Sequence, residues 1–203
     1  MYFTRRLMAN QAHYPSTHLT ESAGCVLFHL PSRKICLLSI TLQNANGGVL
    51  ITLPKGRRNI NETRKDAAVR ETTEETSYKC SLLPVKMGTR LTLPEDDEDV
   101  RDRVRQCDAC TEGFHMQLRS IGRKEERRAK IVWWFIAQVD EEDYERKEEV
   151  GWDGKVKEGV RVEWKEYDDV LGELSYETDV EVVKTAWRIL EATEGPRTRL
   201  SGS

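Results

Sequence analysis

The sequence lacks a long apolar run. No segment of its 203 residues approaches the roughly 20 consecutive apolar residues that a membrane-spanning helix needs. Near the start, Arg5 and Arg6 are not followed by the apolar segment of a secretory signal. We therefore expect no membrane partner and no secretion, and a cytoplasmic or nuclear location.

Cysteine is scarce and irregularly placed. The chain has 5 cysteines, at Cys25, Cys36, Cys80, Cys107 and Cys110. An odd number at irregular spacing argues against a disulfide framework and suits a reducing compartment. Cys107 and Cys110 form a C-x-x-C pair near His115, but no second ligand pair accompanies them, which argues against a zinc site.

The charge balance lacks an excess of one sign. The formal net charge is −3, from 32 Lys and Arg against 35 Asp and Glu. Because nucleic-acid binding draws on an excess of Lys and Arg to neutralise phosphates, we expect no nucleic-acid partner. Hydrophobic residues at 38 % and charged residues at 33 % are instead typical of a globular domain with polar loops.

The length predicts one domain. Domains commonly hold roughly 100–200 residues, and we place a single domain at residues 21–194. Residues 1–20 and 195–203 lack apolar periodicity, so we expect a disordered N-terminal segment and a flexible tail. Residues 94–129 lose regular pattern and are interpreted as a long loop or insertion on the domain.

The order of short apolar segments predicts a mixed sheet with one central helix and terminal helices. Pro31 begins the turn of a hairpin, and the predicted strands are "SAGCVLFHL", "KICLLSI", "GGVLITL", "KCSLLPV", "MGTRLTL", "IVWWFIAQV" and "VRVEW". Asn61 is expected to cap the central helix "TRKDAAVRETTEET", and "YETDVEVVKTAWRILEAT" is expected to form an amphipathic closing helix. The charged segment "DEEDYERKEEVGWDGKVKEG" is expected to be a loop.

Three glutamates recur along the central helix. Glu71, Glu74 and Glu75 stand at i, i+3 and i+4, which places their carboxylates on one face. Such like charges repel by about 0.2–0.5 kcal/mol per pair on an isolated helix, so a purely structural helix gains nothing from them. Mg²⁺ and Mn²⁺ favour oxygen ligands and bridge carboxylates to substrate phosphates. The spacing therefore predicts a divalent-metal site.

Cations surround the glycine-containing loop "LPKGRRN" before this helix. Lys55, Arg57 and Arg58 are suited to phosphate oxygens, and Arg70 is placed to orient Glu71. Together with a metal site, these residues predict hydrolysis of a phosphoanhydride in a small polyphosphate.

The same residues resemble a known motif. The spacing of Gly56, Glu62 and "RETTEETSY" follows the Nudix box, G-x5-E-x7-R-E-U-x-E-E-x-G-U, where U is aliphatic. The charged skeleton matches in full at Gly56, Glu62, Arg70, Glu71, Glu74 and Glu75. The chain is thus similar to Nudix hydrolases. This resemblance implies an α/β (α+β) fold, an α/β/α sandwich with a mixed β-sheet, the central Nudix helix and a C-terminal helix.

Two positions depart from the motif. Thr72 stands where an aliphatic residue is usual, and Ser77 replaces the glycine that ends the helix. A residue with a Cβ costs about 1 kcal/mol or more in the left-handed conformation, so either Ser77 bears that strain or the turn differs. Neither position is a charged ligand, and we expect activity to survive.

The resemblance implies roles residue by residue. Glu71, Glu74 and Glu75 would bind Mg²⁺ or Mn²⁺, the backbone at Gly56 would add a carbonyl ligand, and Arg70 would hold Glu71. Arg70, Glu71 and Glu75 are the implied catalytic residues, and water polarised by the metal would attack a phosphorus atom. The general base stays open between Glu71 and a carboxylate outside the box: Asp96, Asp97, Glu98 or Glu163.

Two segments bear on the substrate. "LPKG" resembles hydrolases of diadenosine polyphosphates and of capped RNA, and "VEWKEYDDVLGEL" resembles diphosphoinositol polyphosphate phosphohydrolases. We expect a substrate among diphosphoinositol and diadenosine polyphosphates. The alternatives are other nucleoside diphosphate derivatives, including capped RNA, or a non-catalytic ligand-binding module. The cations expected to bind a highly anionic inositol are Lys55, Arg57, Arg58, Arg33, Lys34, Arg127, Arg128 and Lys130.

Two adjacent tryptophans could instead recognise adenine. Trp133 and Trp134 lie on one predicted strand, so their side chains point to opposite faces and only one can stack on a base. We expect them to serve mainly in core and rim packing.

Overall fold

The fold is given by a computed structural model that describes residues 12–43, 47–92, 103–122 and 128–195. The strands in these ranges are β1 Leu19–His29, β2 Lys34–Thr41, β3 Val49–Thr52, β4 Lys55–Arg57, β5 Cys80–Leu82, β6 Val85–Thr89, β7 Arg105–Cys110, β8 His115–Ile121, β9 Arg128–Val139, β10 Lys155–Lys157 and β11 Val160–Lys165. The α-helices are α1 Arg64–Thr76, α2 Glu141–Glu149, α3 Tyr167–Glu173 and α4 Glu177–Glu194. None of the helices in these ranges is long and apolar enough to cross a membrane.

The main sheet is mixed, as predicted. Its central strands run in the order β10-β11-β2-β1-β9-β5, while β3, β4 and β8 pair with β2, β1 and β9. The pair of β1 and β9 is parallel, and the other pairs are antiparallel. Strands β6 and β7 form a separate two-stranded ribbon. The hairpin at Pro31 is confirmed, with Phe28 opposite Ile35.

Apolar side chains cover both faces of this sheet. On one face, alternate residues of β1 such as Val26 and Phe28 pack against the buried side of α4, including Val183. On the other face, Leu27 of β1 packs with Ala67 of α1. Alternation with a period of two sends neighbouring strand residues to opposite faces, so a strand that is apolar throughout requires cover on both sides. The three-layer sandwich with a central helix and a C-terminal helix is therefore confirmed.

Helix α1 begins at Arg64, three residues after Asn61, and the prediction that Asn61 caps it is wrong. Thr63 is the N-cap, and its hydroxyl accepts a hydrogen bond from the Asp66 N–H at 3.1 Å. Asn61 has a φ of 63°, in a left-handed turn before the helix. In that turn the Asn59 N–H donates to the Glu62 carboxylate at 2.8 Å. Asn tolerates this conformation better than most residues, which explains its place there.

The C-terminal end of α1 shows how the chain accommodates the two departures from the motif. Ser77 adopts the left-handed conformation itself, with φ of 60° and ψ of 6°, and its N–H donates to the Thr73 carbonyl. Its carbonyl also accepts a hydrogen bond from the Lys147 ammonium. Thr72 is fully buried at the position where the motif has an aliphatic residue. The fold thus keeps the turn and bears the strain at Ser77.

Three segments differ from the sequence-based predictions. In the segment 94–129, residues 105–110 and 115–121 form β7 and β8, so the interpretation as a loop is wrong for them. The charged segment after β9 contains α2 and β10 rather than a loop. Within residues 1–20, a 3-10 turn forms at Ser16–His18 and β1 begins at Leu19. Residues 1–11, 93–102, 123–127 and 196–203 lie outside the described ranges.

All five cysteines are free thiols. Burial strongly raises the pKa of Cys25 and Cys36, which makes both inert packing residues. Within the described ranges, Cys107, Cys110 and His115 do not form a group that could hold a metal ion.

A buried carboxylate attaches α2 to the end of α1. The side chain of Asp143 is 4 % exposed and accepts hydrogen bonds from the Lys147 ammonium at 2.9 Å and the Lys79 N–H at 3.0 Å. Burial alone would raise the pKa of Asp143, but these bonds and a contact with Arg146 outweigh it and lower the pKa to about 2.

We expect Asp143→Asn to reduce the free energy of unfolding at pH 7 by about 2 kcal/mol, because it removes the buried negative charge and replaces one of the two oxygen acceptors with an NH2 donor. The lowered pKa means that Asp143 stabilises the fold above its unfolded pKa, and that this contribution is lost as pH falls from about 4 to about 2. Urea denaturation over this pH range should show the wild type converging on the variant. The control Glu145→Gln, on the exposed side of the same helix, should leave stability unchanged, and a constant gap between wild type and Asp143→Asn would contradict the assignment.

Candidate active site

One cavity collects the three glutamates of the central helix. Glu71, Glu74 and Glu75 of α1 line a space of about 260 Å³. The opposite wall comes from β2, β10 and β11, through Leu38, Ile40, Val156, Lys157 and Val160. The spacing that placed the carboxylates on one helix face therefore brings them to one cavity.

Gly56 lies directly against the first of these carboxylates. A Cβ atom on Gly56 would stand 1.7 Å from Oε2 of Glu71, which is far inside van der Waals contact. Gly56 is held there because β4 pairs with β1, with Gly56 opposite Ala23. Only glycine lets the loop backbone approach the Glu71 carboxylate this closely.

Glu75 is bound to the same loop. Its Oε2 accepts a hydrogen bond from the Lys55 N–H at 2.8 Å. Burial raises the pKa of the Glu75 carboxyl, Glu71 raises it further, and the hydrogen bond and charge of Lys55 oppose these effects. The cavity thus contains a desolvated carboxylate beside a second one, an arrangement that a divalent cation would stabilise.

Arg70 connects the loop to the helix. Its guanidinium donates to both carboxylate oxygens of Glu62, at 2.7 and 2.9 Å, and to the Arg57 carbonyl at 3.0 Å. It also donates to Glu71 at 2.7 Å and to Glu74 at 3.1 Å. The hydrogen bond from Arg70 is the main reason that the pKa of Glu62 falls to about 2. Glu62 therefore serves as a structural partner of Arg70.

The residues fit a hard divalent cation in kind and placement. No group of three or more His, Cys, Asp or Glu side chains within the described ranges is already arranged to hold a metal ion. Arg70 pairs instead with Glu71 and Glu74. Nevertheless, three carboxylates face one cavity, and the Glu71 carboxylate packs on Gly56 where any Cβ would displace it. Oxygen donors of this type are those that Mg²⁺ and Mn²⁺ prefer.

The cations expected to bind substrate do not converge on this cavity. The Lys55 ammonium donates to the Thr52 hydroxyl at 2.9 Å, on the side of the sheet that holds Trp134. Arg58 pairs with a carboxylate of β1, and Arg33 pairs with one near the end of α4. The described residues that line the cavity include none of the following predicted substrate-binding residues: Lys55, Arg57, Arg58, Arg33, Lys34, Arg128 and Lys130. Arg127 lies outside the described residues.

Lys157, which was not predicted from the sequence, lines the cavity beside the glutamates. Its positive charge acts to lower the pKa of Glu75. Lys157 lies on β10, within the segment that was predicted to be a loop. The alternation "KVK", followed by "EG" and the strand "VRVEW", is a hairpin signal that could have revealed it.

The candidates for the general base separate in the structure. Asp96, Asp97 and Glu98 lie outside the described residues. Glu163 pairs with Lys165 at 3.0 Å. Val160 lines the cavity, and Glu163 lies three residues further along β11, so its side chain is on the other face of the strand, away from the cavity. Glu71 is therefore the candidate that the described part of the chain places in the cavity.

The fold and the acidic helix define a domain built around a carboxylate-lined cavity, and comparison with known proteins gives its family. The family model of the NUDIX domain matches residues 18–177. The chain belongs to this family, and it is a hydrolase that acts on phosphate anhydrides. No curated protein matches the chain.

Solved structures with this fold are distant in sequence. A NUDIX hydrolase from Nitrosomonas europaea is 15 % identical, with a TM-score of 0.51 over 90 % of this chain and 76 % of that chain. The E. coli ORF135 protein is 13 % identical, with a TM-score of 0.50 over 88 % of this chain and 95 % of that chain. A C. elegans Ap4A hydrolase is 18 % identical over 85 % and 98 %, but its TM-score of 0.47 supports no argument about substrate. These likenesses show the fold.

We expect Gly56→Ala to lower the rate of hydrolysis by about 100-fold, because a methyl group at this position displaces the Glu71 carboxylate by more than an ångström. The rate is measured with a phosphoanhydride substrate and a divalent metal that the wild type accepts, and a thermal melt checks the fold. The matched control is Gly172→Ala in α3, where a Cβ meets no atom within 4 Å and the rate should not change. A fully active Gly56→Ala enzyme would show that close packing of Glu71 on the loop is not needed.

Proposed function

We propose that this chain hydrolyses phosphoanhydride bonds in diadenosine polyphosphates and diphosphoinositol polyphosphates, with Mg²⁺ as cofactor and Mn²⁺ as a substitute. The observation that carries the proposal is the single cavity lined by Glu71, Glu74, Glu75 and Lys157. Three carboxylates supply oxygen ligands, and one ammonium meets a phosphate oxygen. The substrate is therefore a small polyphosphate.

In this proposal the three glutamates and the backbone carbonyl at Gly56 would hold the metal. When bound, a divalent ion supplies charge neutralisation of the phosphates and a more acidic water. Arg70 holds the Glu71 carboxylate through its 2.7 Å ion pair, and the Lys55 N–H fixes Glu75 at 2.8 Å. Glu71 accepts the proton of the attacking water. The chain thus orients its carboxylates before substrate enters.

Of the two proposed substrate groups, the described residues that line the glutamate cavity favour diadenosine polyphosphates. A diphosphoinositol polyphosphate carries phosphates around a whole ring and needs several Lys and Arg side chains at once. The described part of the cavity wall offers one cation, Lys157, together with the apolar side chains of Leu38, Ile40 and Val156. An oligophosphate chain with an apolar or aromatic end is the better match to this wall.

A substrate panel with metal controls tests the proposal. Diadenosine tetraphosphate, diphosphoinositol pentakisphosphate and a nucleotide sugar are incubated with Mg²⁺, with Mn²⁺ or with a chelator, and products are resolved by ion-exchange chromatography. We expect cleavage of the dinucleotide that is lost on chelation and restored by Mg²⁺. Glu71→Gln should lower its rate by roughly 10²–10⁴-fold, because it removes the proposed proton acceptor, which is also a proposed metal ligand.

The control for this variant is Glu173→Gln, an exposed glutamate of α3 that pairs with Lys165 and lies outside the cavity. Its rate should equal that of the wild type. Absence of cleavage of every substrate with both metals would refute the proposed substrates, and an active Glu71→Gln enzyme would refute the assigned base.

Lys157→Gln tests how substrate is held. We expect KM for the dinucleotide to rise by about 10-fold or more with a smaller effect on kcat, because a charge-assisted hydrogen bond contributes about 1.5–3 kcal/mol. Lys155→Gln, on the same strand but outside the cavity lining, is the matched control. Equal KM values for the two variants would show that Lys157 does not contact the phosphates.

A further inference from the structure

A second and larger cavity lies apart from the three glutamates. It has a volume of about 490 Å³ and is bounded by the start of α1, the end of β6, the turn between β7 and β8, and the β9 side chains Trp133 and Phe135. Among the described residues, none lines both cavities. Pockets for small molecules typically measure roughly 300–1,000 Å³, so this volume suits a ligand of nucleotide size.

A stacked pair of planar groups forms one side of this cavity. The Arg64 guanidinium lies 4.1 Å from the centre of the Trp133 ring. Glu21 holds both groups, because its Oε1 accepts hydrogen bonds from Arg64 Nε at 2.6 Å and from Trp133 Nε1 at 2.8 Å. Nucleobases stack on aromatic rings and on guanidinium planes alike. The planes are thus fixed in place before any ligand binds.

Cations accompany these planar groups. Arg64, Lys65 and Arg90 all line the cavity. The Lys65 ammonium is paired with Glu112 at 2.6 Å, and both side chains are partly exposed, so this pair can exchange for a phosphate at little cost. A flat apolar surface beside cationic groups matches a nucleoside phosphate. It is a poorer match to a simple anion, because such an anion makes no use of the aromatic wall.

Gly113 keeps this cavity open from the turn between β7 and β8. A Cβ atom there would lie 3.4 Å from Trp133 Cε3 and 3.6 Å from Phe135 Cζ, at ordinary van der Waals distance. An alanine therefore fits without displacing the rings. A longer side chain would occupy the space over the aromatic groups, which provides a way to block the cavity without altering a charge.

We propose that this cavity is a nucleoside phosphate site separate from the cavity of the three glutamates. The base lies against the Arg64 and Trp133 pair, and the phosphate meets Lys65 and Arg90. The site does not depend on which anhydride the enzyme hydrolyses, and its ligand need not be a substrate.

Equilibrium dialysis of AMP against the full chain, with a chelator present, tests this site without any turnover. We expect wild type and Gly113→Ala to bind AMP with dissociation constants within twofold of each other. Gly113→Leu should weaken binding by at least 10-fold, and thermal melts check that each variant is folded. The chelator removes metal ions, so AMP binding is measured without hydrolysis. If the proposed hydrolysis were disproved, the binding result would stand, and AMP binding would not by itself support the proposed hydrolysis.

A second variant decides the matter if Gly113→Leu does not fold. Lys65→Gln changes a partly exposed side chain of α1 and should weaken AMP binding by at least threefold while leaving adenosine binding unchanged. The proposal is overturned if wild type binds no AMP at millimolar concentration. It is equally overturned if the folded Gly113→Leu protein, or failing that Lys65→Gln, binds AMP as the wild type does.

Discussion

The bidentate ion pair between Arg70 and Glu62 is the interaction on which the site depends. Arg70 reaches both oxygens of Glu62, the Arg57 carbonyl, and the carboxylates of Glu71 and Glu74. Without this guanidinium, like charges would meet on a single helix face and the preceding loop would lose one of its attachments to the helix. One side chain thus offsets the repulsion among the carboxylates and sets the distance between loop and helix.

The sheet supplies the second constraint on the site. Strand β4 pairs with β1, which fixes the loop backbone against α1. At Gly56 the backbone approaches so closely that the Glu71 carboxylate takes the place of a side chain, and at Lys55 the N–H binds Glu75 at 2.8 Å. The carboxylates are therefore oriented by backbone atoms as well as by Arg70. Such orientation by a rigid frame is what metal-assisted hydrolysis requires.

The sequence predicted the apolar strands, both long helices and the helix face that carries the glutamates, because each rests on a strong local period. It failed where the local signal was weak. Strands β7 and β8 were missed because each pairs along one edge and exposes polar side chains, which blurs the alternation. The cap was assigned to Asn61 rather than Thr63 because both residue types cap helices, and only the turn geometry distinguishes them.

By itself the sequence determined which carboxylates share a face, because a helix of 3.6 residues per turn places Glu71, Glu74 and Glu75 together whatever surrounds them. Only the tertiary structure decided which lysine lines the cavity with them. Lys55 lies next to Gly56 in the chain, yet its side chain turns to the far side of the sheet. Lys157 is distant in sequence, yet the pairing of β10 with β11 places it at the cavity. Strand pairing joins residues of unrelated sequence position, so no local period could have specified this contact.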